Sequence, residues 1–64
     1  MGASAPKEFL VDVHGVRPDA LTVDALVRLQ VVARREGCRV RLRGAPKELV
    51  QLIAFMGLRE VLLD

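Results

Sequence analysis

Residues 22–62 read TVDALVRLQVVARREGCRVRLRGAPKELVQLIAFMGLREVL and contain two segments of helical periodicity separated by a segment of strict alternation. The alternating segment, CRVRLR at residues 38–43, places apolar side chains on one face of a strand and arginines on the other. The flanking segments repeat apolar residues at spacings of three and four, which is typical of helices that pack on a core. The stretch therefore predicts helix, strand, helix.

Further strands are predicted on both sides of this core. Residues 9–14 read FLVDVH, in which every second position from Phe9 is apolar, and Gly15 follows. The apolar run at residues 61–63 predicts a short third strand. Strands that alternate with helices are typical of parallel βαβ units. We therefore expect an α/β fold, a small βαβαβ two-layer unit with a parallel sheet and two helices on one face.

One domain accounts for a length of 64 residues. Residues 1–8 are mostly small or flexible and include a proline, and we expect a flexible leader there. Residues 9–64 then form the single domain. Because a chain this short covers its apolar surface poorly, a protein partner is expected.

The first helix carries two apolar stripes. It is capped by Asp19 or, as the favoured alternative, by Thr22, whose hydroxyl can accept a hydrogen bond from a backbone N–H of the first turn, and it ends at Gly37. One stripe should face the sheet and comprises Ala25, Leu26, Leu29, Val32 and Ala33. The other stripe, which is either a wider core contact or a partner surface, comprises Val23, Val27 and Val31.

The second helix has clear signals at both ends. Pro46 at its first position and Glu48 in its first turn are favourable at a helix N-terminus. Gly57 followed by Leu58 predicts a C-terminal cap in which the leucine folds back on the last turn. The expected buried stripe contains Leu49, Leu52, Ile53 and Met56.

Composition argues against several classes of protein. A net charge of +2 is too small to indicate nucleic-acid binding by itself. No apolar run approaches the roughly 18–20 residues of a membrane helix, and the N-terminus lacks the basic and apolar regions of a secretory signal. Since Cys38 is the single cysteine, no internal disulfide can form, and a cytoplasmic location is expected.

The order of these segments resembles the STAS domain, a module of sulphate transporters and bacterial anti-sigma-factor antagonists. In that family a strand ending in Asp-Leu-Ser-Gly-Val precedes an Asp-Ser-Ser-Gly-Leu-type loop and a Leu-rich helix. A basic strand, a Pro-led helix and a terminal Gly-Leu follow. The residues of this chain that match are Asp12, Gly15 and Val16 in the first motif, and Gly57 and Leu58 in the last.

The resemblance implies a phosphorylation switch at the start of the first helix. The phosphorylatable serine of the antagonists falls at Thr22, although Leu21 and Val23 replace its serine and glycine neighbours. A phosphate there would gain from the helix N-terminus but would be repelled by Asp24. The alternative is that Thr22 only caps the helix. Two initial strands and a final helix of the family have no counterpart in these residues.

The resemblance also implies a regulatory protein partner, either an anti-sigma-factor kinase or, for an accessory subunit, a lipid-transport ATP-binding-cassette system. The implied partner surface is the loop and first helix, comprising Asp19, Leu21, Val23, Val27 and Val31. Assembly of two copies that complete one another's sheet is compatible with this, because the edges of a short sheet expose unpaired N–H and C=O groups.

The arginine row of the central strand, Arg39, Arg41 and Arg43, is expected on a sheet face that no helix covers, where Asp12 could pair with one arginine. A solvated face is the default interpretation; a protein interface or phosphate binding is the alternative. The lack of an aromatic platform argues against single-stranded nucleic acid.

No residue pattern indicates catalysis, a metal site or a cofactor. His14 has no second histidine or cysteine nearby, and Cys38 lies on the apolar face of its strand without a histidine partner. We therefore expect a non-enzymatic, self-associating protein–protein interaction module of STAS type. The alternative is a small nucleic-acid-binding domain that uses the arginine row.

Overall fold

The computed structural model describes residues 7–63, in which two strands and three helices form an α/β arrangement. In chain order the elements are β1 (Lys7–Asp12), α1 (Ala20–Arg35), β2 (Cys38–Arg43), α2 (Lys47–Phe55) and α3 (Arg59–Leu62). β1 and β2 are parallel neighbours in a two-stranded sheet. None of the helices in this part of the chain is long and apolar enough to cross a membrane.

The first strand starts earlier than the sequence predicted. Lys7 pairs with Cys38 and Glu8 with Arg39, so these two residues belong to β1 rather than to a leader. Residues 1–6, the rest of the expected leader, lie outside the described residues, as does Asp64.

The register of the sheet separates an apolar face from a charged face. Phe9 lies beside Val40 and Val11 beside Leu42 on the face that α1 approaches, whereas Leu10 lies beside Arg41 on the opposite face. The bounds and alternation predicted for β2 are confirmed, since Val40 is buried and Arg41 is exposed.

One aliphatic core joins the elements. Its buried members come from the end of β1, from α1, from α2 and from α3, and they are Val13, Val23, Leu26, Leu49, Ile53 and Leu62. Leu49 and Ile53 of α2 are fully buried, as their four-residue spacing predicts, whereas Met56 is 41% exposed. Because α2 packs on α1 and α3, its apolar stripe closes the core without lying on the strands.

Asp19, rather than Thr22, caps α1. Asp19 has an extended backbone, and its Oδ1 accepts a hydrogen bond of 2.9 Å from the backbone N–H of Thr22. Thr22 is therefore the third residue of the helix, and the favoured sequence interpretation of it as the cap was wrong. A carboxylate at this position satisfies a free N–H group and lies at the positive end of the helix dipole.

The buried face of α1 is rotated from the expected stripe. Val23, Leu26 and Gln30 are its buried residues, while Leu29 and Val32 are 42% and 56% exposed. The sheet has two strands instead of three, and α1 packs against β2 much more than against β1. As a result, no strand within residues 7–63 buries the side of the helix that carries Leu29.

The prediction of a third strand at residues 61–63 was wrong. Val61 and Leu62 belong to α3, whose backbone bonds are local: the N–H of Leu62 donates to the C=O of Leu58 at 3.0 Å. A short apolar run without alternation fits a buried helical turn as well as a strand. Helical geometry turns Leu62 into the core, where it is 3% exposed.

Gln30 takes the position beside β2 that a third strand would occupy. Its Oε1 accepts from the N–H of Val40 at 2.8 Å, and its Nε2 donates to the C=O of Val40 at 3.0 Å. The same Nε2 donates to the C=O of Val61 at 2.9 Å. A carboxamide carries the same donor and acceptor as a peptide group, so one buried side chain supplies a strand-like pair to β2 and also ties α3 to the sheet.

The ends of α2 follow the sequence signals with one shift. Pro46 is the N-cap, with an extended backbone, and Lys47 is the first helical residue. At the other end, the N–H of Gly57 donates to Ala54 and the N–H of Leu58 donates to Ile53, both at 3.0 Å. This is the Schellman pattern, and Gly57 adopts the left-handed conformation that it requires, at φ +73°. The predicted cap is confirmed.

Gln30→Leu should destabilise the fold strongly. Val40 would lose partners for its N–H and its C=O, and Val61 would lose one for its C=O, at about 1–3 kcal/mol per buried unsatisfied group. A chain of this length is stabilised by roughly 3–10 kcal/mol in total. Urea denaturation should therefore show a loss of about 3 kcal/mol or more. Gln51→Leu, at an exposed position of α2, is the matched control and should change stability by about 0.5 kcal/mol or less.

Gln30→Glu tests the same bonds by pH. A carboxylate at this position would face the carbonyl oxygens of Val40 and Val61, so burial and repulsion should raise its folded-state pKa above its unfolded-state value. Stability is then present at low pH and is lost as the pH rises through the raised pKa. The variant should melt at a lower temperature at pH 7 than at pH 5. A melting temperature that did not fall across this interval, relative to the native chain, would contradict the assigned hydrogen bonds.

The Asp19 cap should contribute an acid-sensitive part of the stability. The backbone N–H of Thr22, and then its hydroxyl, hold the pKa of Asp19 below its usual 3.8. The contribution is full above the unfolded-state pKa and is lost as the pH falls through the lower folded-state pKa. Asp19→Asn keeps a capping oxygen that cannot titrate, so its melting temperature should fall less below pH 4 than that of the native chain. Asp19→Ala should melt several degrees lower at neutral pH as well.

Candidate docking surface

An apolar groove lies between β1 and α1, on the side of the helix that carries Leu29. We call it the β1–α1 groove. It has a volume of about 530 Å³ and is lined chiefly by Phe9, Leu10, Val11, Leu29, Val32 and Ala33. Most of its lining is apolar. The helix contributes Leu29 and Val32, which no strand within residues 7–63 buries.

Four of the eight large apolar side chains that are exposed among residues 7–63 belong to residues that line this groove, and the other four, Leu21, Val31, Phe55 and Met56, lie elsewhere. Phe9 is 54% exposed and Leu10 is 66% exposed, on opposite faces of β1. Phe9, Leu29 and Val32 together line the groove with apolar side chains, whereas the side chain of Leu10 lies on the other face of β1. Exposed apolar surface of this kind marks interaction sites in soluble proteins.

The outer edge of β1 is open beside the groove. The N–H of Val13 donates to the C=O of Arg43 at 2.9 Å, which fixes the direction of the backbone groups because they alternate along a strand. Phe9 and Val11 therefore direct their N–H and C=O toward β2, while Glu8 and Leu10 direct theirs outward. Within residues 7–63 no other strand pairs with this edge. Such an edge can accept a strand from another chain.

The five residues implied as a partner surface by the STAS resemblance do not form one exposed patch. Val23 is fully buried in the core and is not available to a partner, so its assignment to that surface was wrong. Val27 is half-buried against the core, and Asp19 is partly buried as the helix cap. Leu21 and Val31 remain accessible, at 82% and 46% exposed.

The arginine row lies on the sheet face opposite α1, but its charge is partly neutralised. Nη1 of Arg41 lies 3.5 Å from Oε2 of Glu8, and Leu10 is the register partner of Arg41 on the same face. Arg43 is exposed beside Asp12, and Arg39 is half-buried, with an Nε that has no hydrogen-bond partner among the described residues. The face is therefore mixed in charge rather than uniformly basic.

Asp12 pairs with His14 instead of with an arginine. Its Oδ1 lies 2.7 Å from Nδ1 of His14 and accepts a hydrogen bond of 3.1 Å from the His14 backbone N–H. These bonds, the side-chain one first, lower the pKa of Asp12 below its usual 3.8. Gly44, at φ +69°, passes close by, and a Cβ there would lie 3.2 Å from Cβ of His14. The pair closes the loop after β1, and no nucleophile is in hydrogen-bond contact with it.

Thr22 and Cys38 are both engaged in local structure. The N–H of Thr22 is bound to the Asp19 carboxylate, so a phosphate on Thr22 would lie close to a negative charge. Cys38 is half-buried at the start of β2, and its Sγ lies 3.6 Å from the C=O of Glu36.

Sequence reasoning missed the groove as a site. Its signal was present in the neighbouring apolar residues Phe9 and Leu10, which give β1 an apolar side chain on both faces. Leu29 and Val32 were assigned to the sheet contact because they share a stripe of helical spacing with Leu26. The groove exists because α1 packs against β2 and not against β1, so its Leu29 side is left unburied among residues 7–63.

Comparisons of the chain with protein-family models, with curated proteins and with solved structures found no match.

Proposed function

We propose that this chain is a non-enzymatic protein–protein interaction module of STAS type, and that the β1–α1 groove with the open edge of β1 is its docking surface. The observation that carries the proposal is the coincidence of the two features. A partner strand added to β1 would satisfy the outward N–H and C=O groups of Glu8 and Leu10 and would cover Phe9 and Leu29 in the same step.

The partner class follows from the STAS resemblance: a regulatory protein such as an anti-sigma-factor kinase, or a subunit of a lipid-transport system. The groove differs from the surface that the resemblance implies, since the groove lies on the flank of α1 that carries Leu29 and the implied surface centres on Leu21. We favour docking at the groove over docking at the surface around Leu21, because the exposed apolar side chains that line the groove are contiguous.

Nucleic-acid binding through the arginine row is less well supported. Glu8 lies within 3.5 Å of Arg41, and Asp12 lies beside Arg43 in the register, so acidic side chains alternate with the basic ones. A phosphate backbone would meet repulsion from these carboxylates as well as attraction from the arginines.

Leu29→Glu should abolish docking without unfolding the chain, because Leu29 lines the groove but is already 42% exposed. The immobilised full chain would be incubated with a lysate of its source organism, and retained proteins would be identified by mass spectrometry. A partner should be retained by the native chain and reduced at least tenfold with the variant, since a buried unpaired charge is costly. Circular dichroism would verify that the variant is folded.

Two further variants make the result specific. Gln51→Glu introduces the same change of charge at an exposed position of α2 and should retain the partner. Leu21→Glu tests the surface implied by the resemblance and should also retain it. Loss of the partner with Leu21→Glu but not with Leu29→Glu would transfer docking to the start of α1 and refute the groove.

A further inference from the structure

Resting on the proposed function, we propose that a second copy of this chain occupies the docking surface. The β1 strands of two copies pair antiparallel across a twofold axis, with Phe9 of one copy opposite Phe9 of the other. The result is a four-stranded sheet in the order β2, β1, β1, β2. Each copy supplies to the other the strand that is missing at the open edge of β1.

The edge of β1 is suited to a copy of itself. A twofold axis requires a single surface that is complementary to itself, and the outward groups of an edge strand meet this condition because each residue offers one donor and one acceptor. A two-stranded sheet is marginal on its own, whereas four strands with one apolar face give a stable layer. The groove continues along the same edge, so pairing the strands also brings the two grooves together.

The direction of the backbone groups restricts the register. Directly opposed residues of an antiparallel pair share a side-chain face and a backbone direction. Glu8, Leu10 and Asp12 can therefore oppose only one another, and Lys7, Phe9 and Val11 can oppose only one another. Three registers keep Phe9 opposite a residue of β1, with the twofold axis at Glu8, at Phe9 or at Leu10.

Charge selects among these three registers. An axis at Glu8 places the two Glu8 carboxylates directly opposite each other, and an axis at Leu10 places each Glu8 opposite Asp12 of the other copy. Like charges in directly opposed positions are destabilising. An axis at Phe9 instead opposes Glu8 to Leu10, and each Glu8 keeps Arg41 of its own chain 3.5 Å away. The Phe9 register is therefore favoured.

The apolar face is also best closed in this register. Phe9 projects toward the side of the sheet that carries α1, and it is 54% exposed in the single chain. At the axis the two rings meet as an opposed pair at the closest strand spacing, where aromatic pairs interact well. Each ring then covers part of the groove formed by Leu29 and Val32.

Disulfide trapping tests the register. All variants carry Cys38→Ser, so that no native thiol competes. In the Phe9 register, Glu8 and Leu10 of different copies are about 5.5 Å apart between Cα atoms, which a disulfide can bridge. Two Leu10 residues are diagonal neighbours at about 7–8 Å, which it cannot bridge. A mixture of Glu8→Cys and Leu10→Cys chains should therefore form the mixed dimer at least tenfold more than Leu10→Cys forms its own dimer.

Further variants complete the trapping experiment. Phe9→Cys should cross-link with itself, because its two Cα atoms would lie about 4.5 Å apart. Cross-linking of Leu10→Cys with itself, in preference to the mixture, would indicate an axis at Leu10 and overturn the proposed register. Equal yields from all combinations would indicate random collision and would overturn it as well.

Sedimentation equilibrium of the full chain gives an independent result. The native chain should have twice the mass of the 7.1 kDa monomer at micromolar concentration. Leu10→Pro removes an outward N–H that β2 does not use, and it should yield a folded monomer, whereas Leu10→Ala should remain dimeric. If Leu10→Pro fails to fold, the trapping yields still decide the matter. A native chain that is monomeric at every concentration overturns the dimer. The proposed function would still stand if the native chain retained a different protein and Leu29→Glu lost it.

Discussion

The pairing of the Gln30 carboxamide with Val40 is the interaction on which the rest of the arrangement depends. A two-stranded parallel sheet leaves both of its edges open, and the edge of β2 lies against the core, where unpaired backbone groups are costly. One side chain of α1 satisfies that edge and reaches Val61 as well, so helix, sheet and α3 share a single buried polar contact. Because the Gln30 side chain supplies the backbone partners of Val40, α3 needs no extended backbone of its own to complete the layer.

The contact between Gln30 and β2 also explains which part of the apolar surface of α1 is left uncovered. The helix must stay close to β2 for Gln30 to reach Val40, so it cannot also centre itself over β1. Leu29 and Val32 consequently overhang the outer strand, and Phe9 has no helix above it. The groove and the polar contact are two results of one placement of α1. The same placement explains why the edge of β2 is closed by a side chain while the edge of β1 is open among residues 7–63.

The local elements could be predicted from the sequence to a large extent, and the relations between them could not. The alternation of residues 38–43 gave β2 with its bounds, and Gly57 with Leu58 gave the Schellman cap, because both signals depend on neighbouring residues alone. The third strand failed because residues 61–63 carry no period that separates strand from helix. The role of Gln30 could not be predicted, since nothing in a helical pattern shows that a glutamine will replace a strand. Helical spacing also does not show how far α1 extends over the sheet. For that reason Leu29 was assigned to the sheet contact, and the groove was not predicted.

The position of β1 has a consequence for the order in which the fold forms and opens. β1 joins the sheet through partners 31 positions away, as for Phe9 and Val40, whereas α1 and β2 are neighbours in the chain. Closing that loop costs entropy before any strand contact compensates for it, so β1 is expected to dock late in folding and to detach first. Amide protons of β1 in a single chain should then exchange with deuterium through local opening, while the Val40 amide, held by a buried side chain, exchanges through global unfolding. A strand that detaches readily can also be exchanged between two copies of the chain, so β1 is the segment most susceptible to domain swapping.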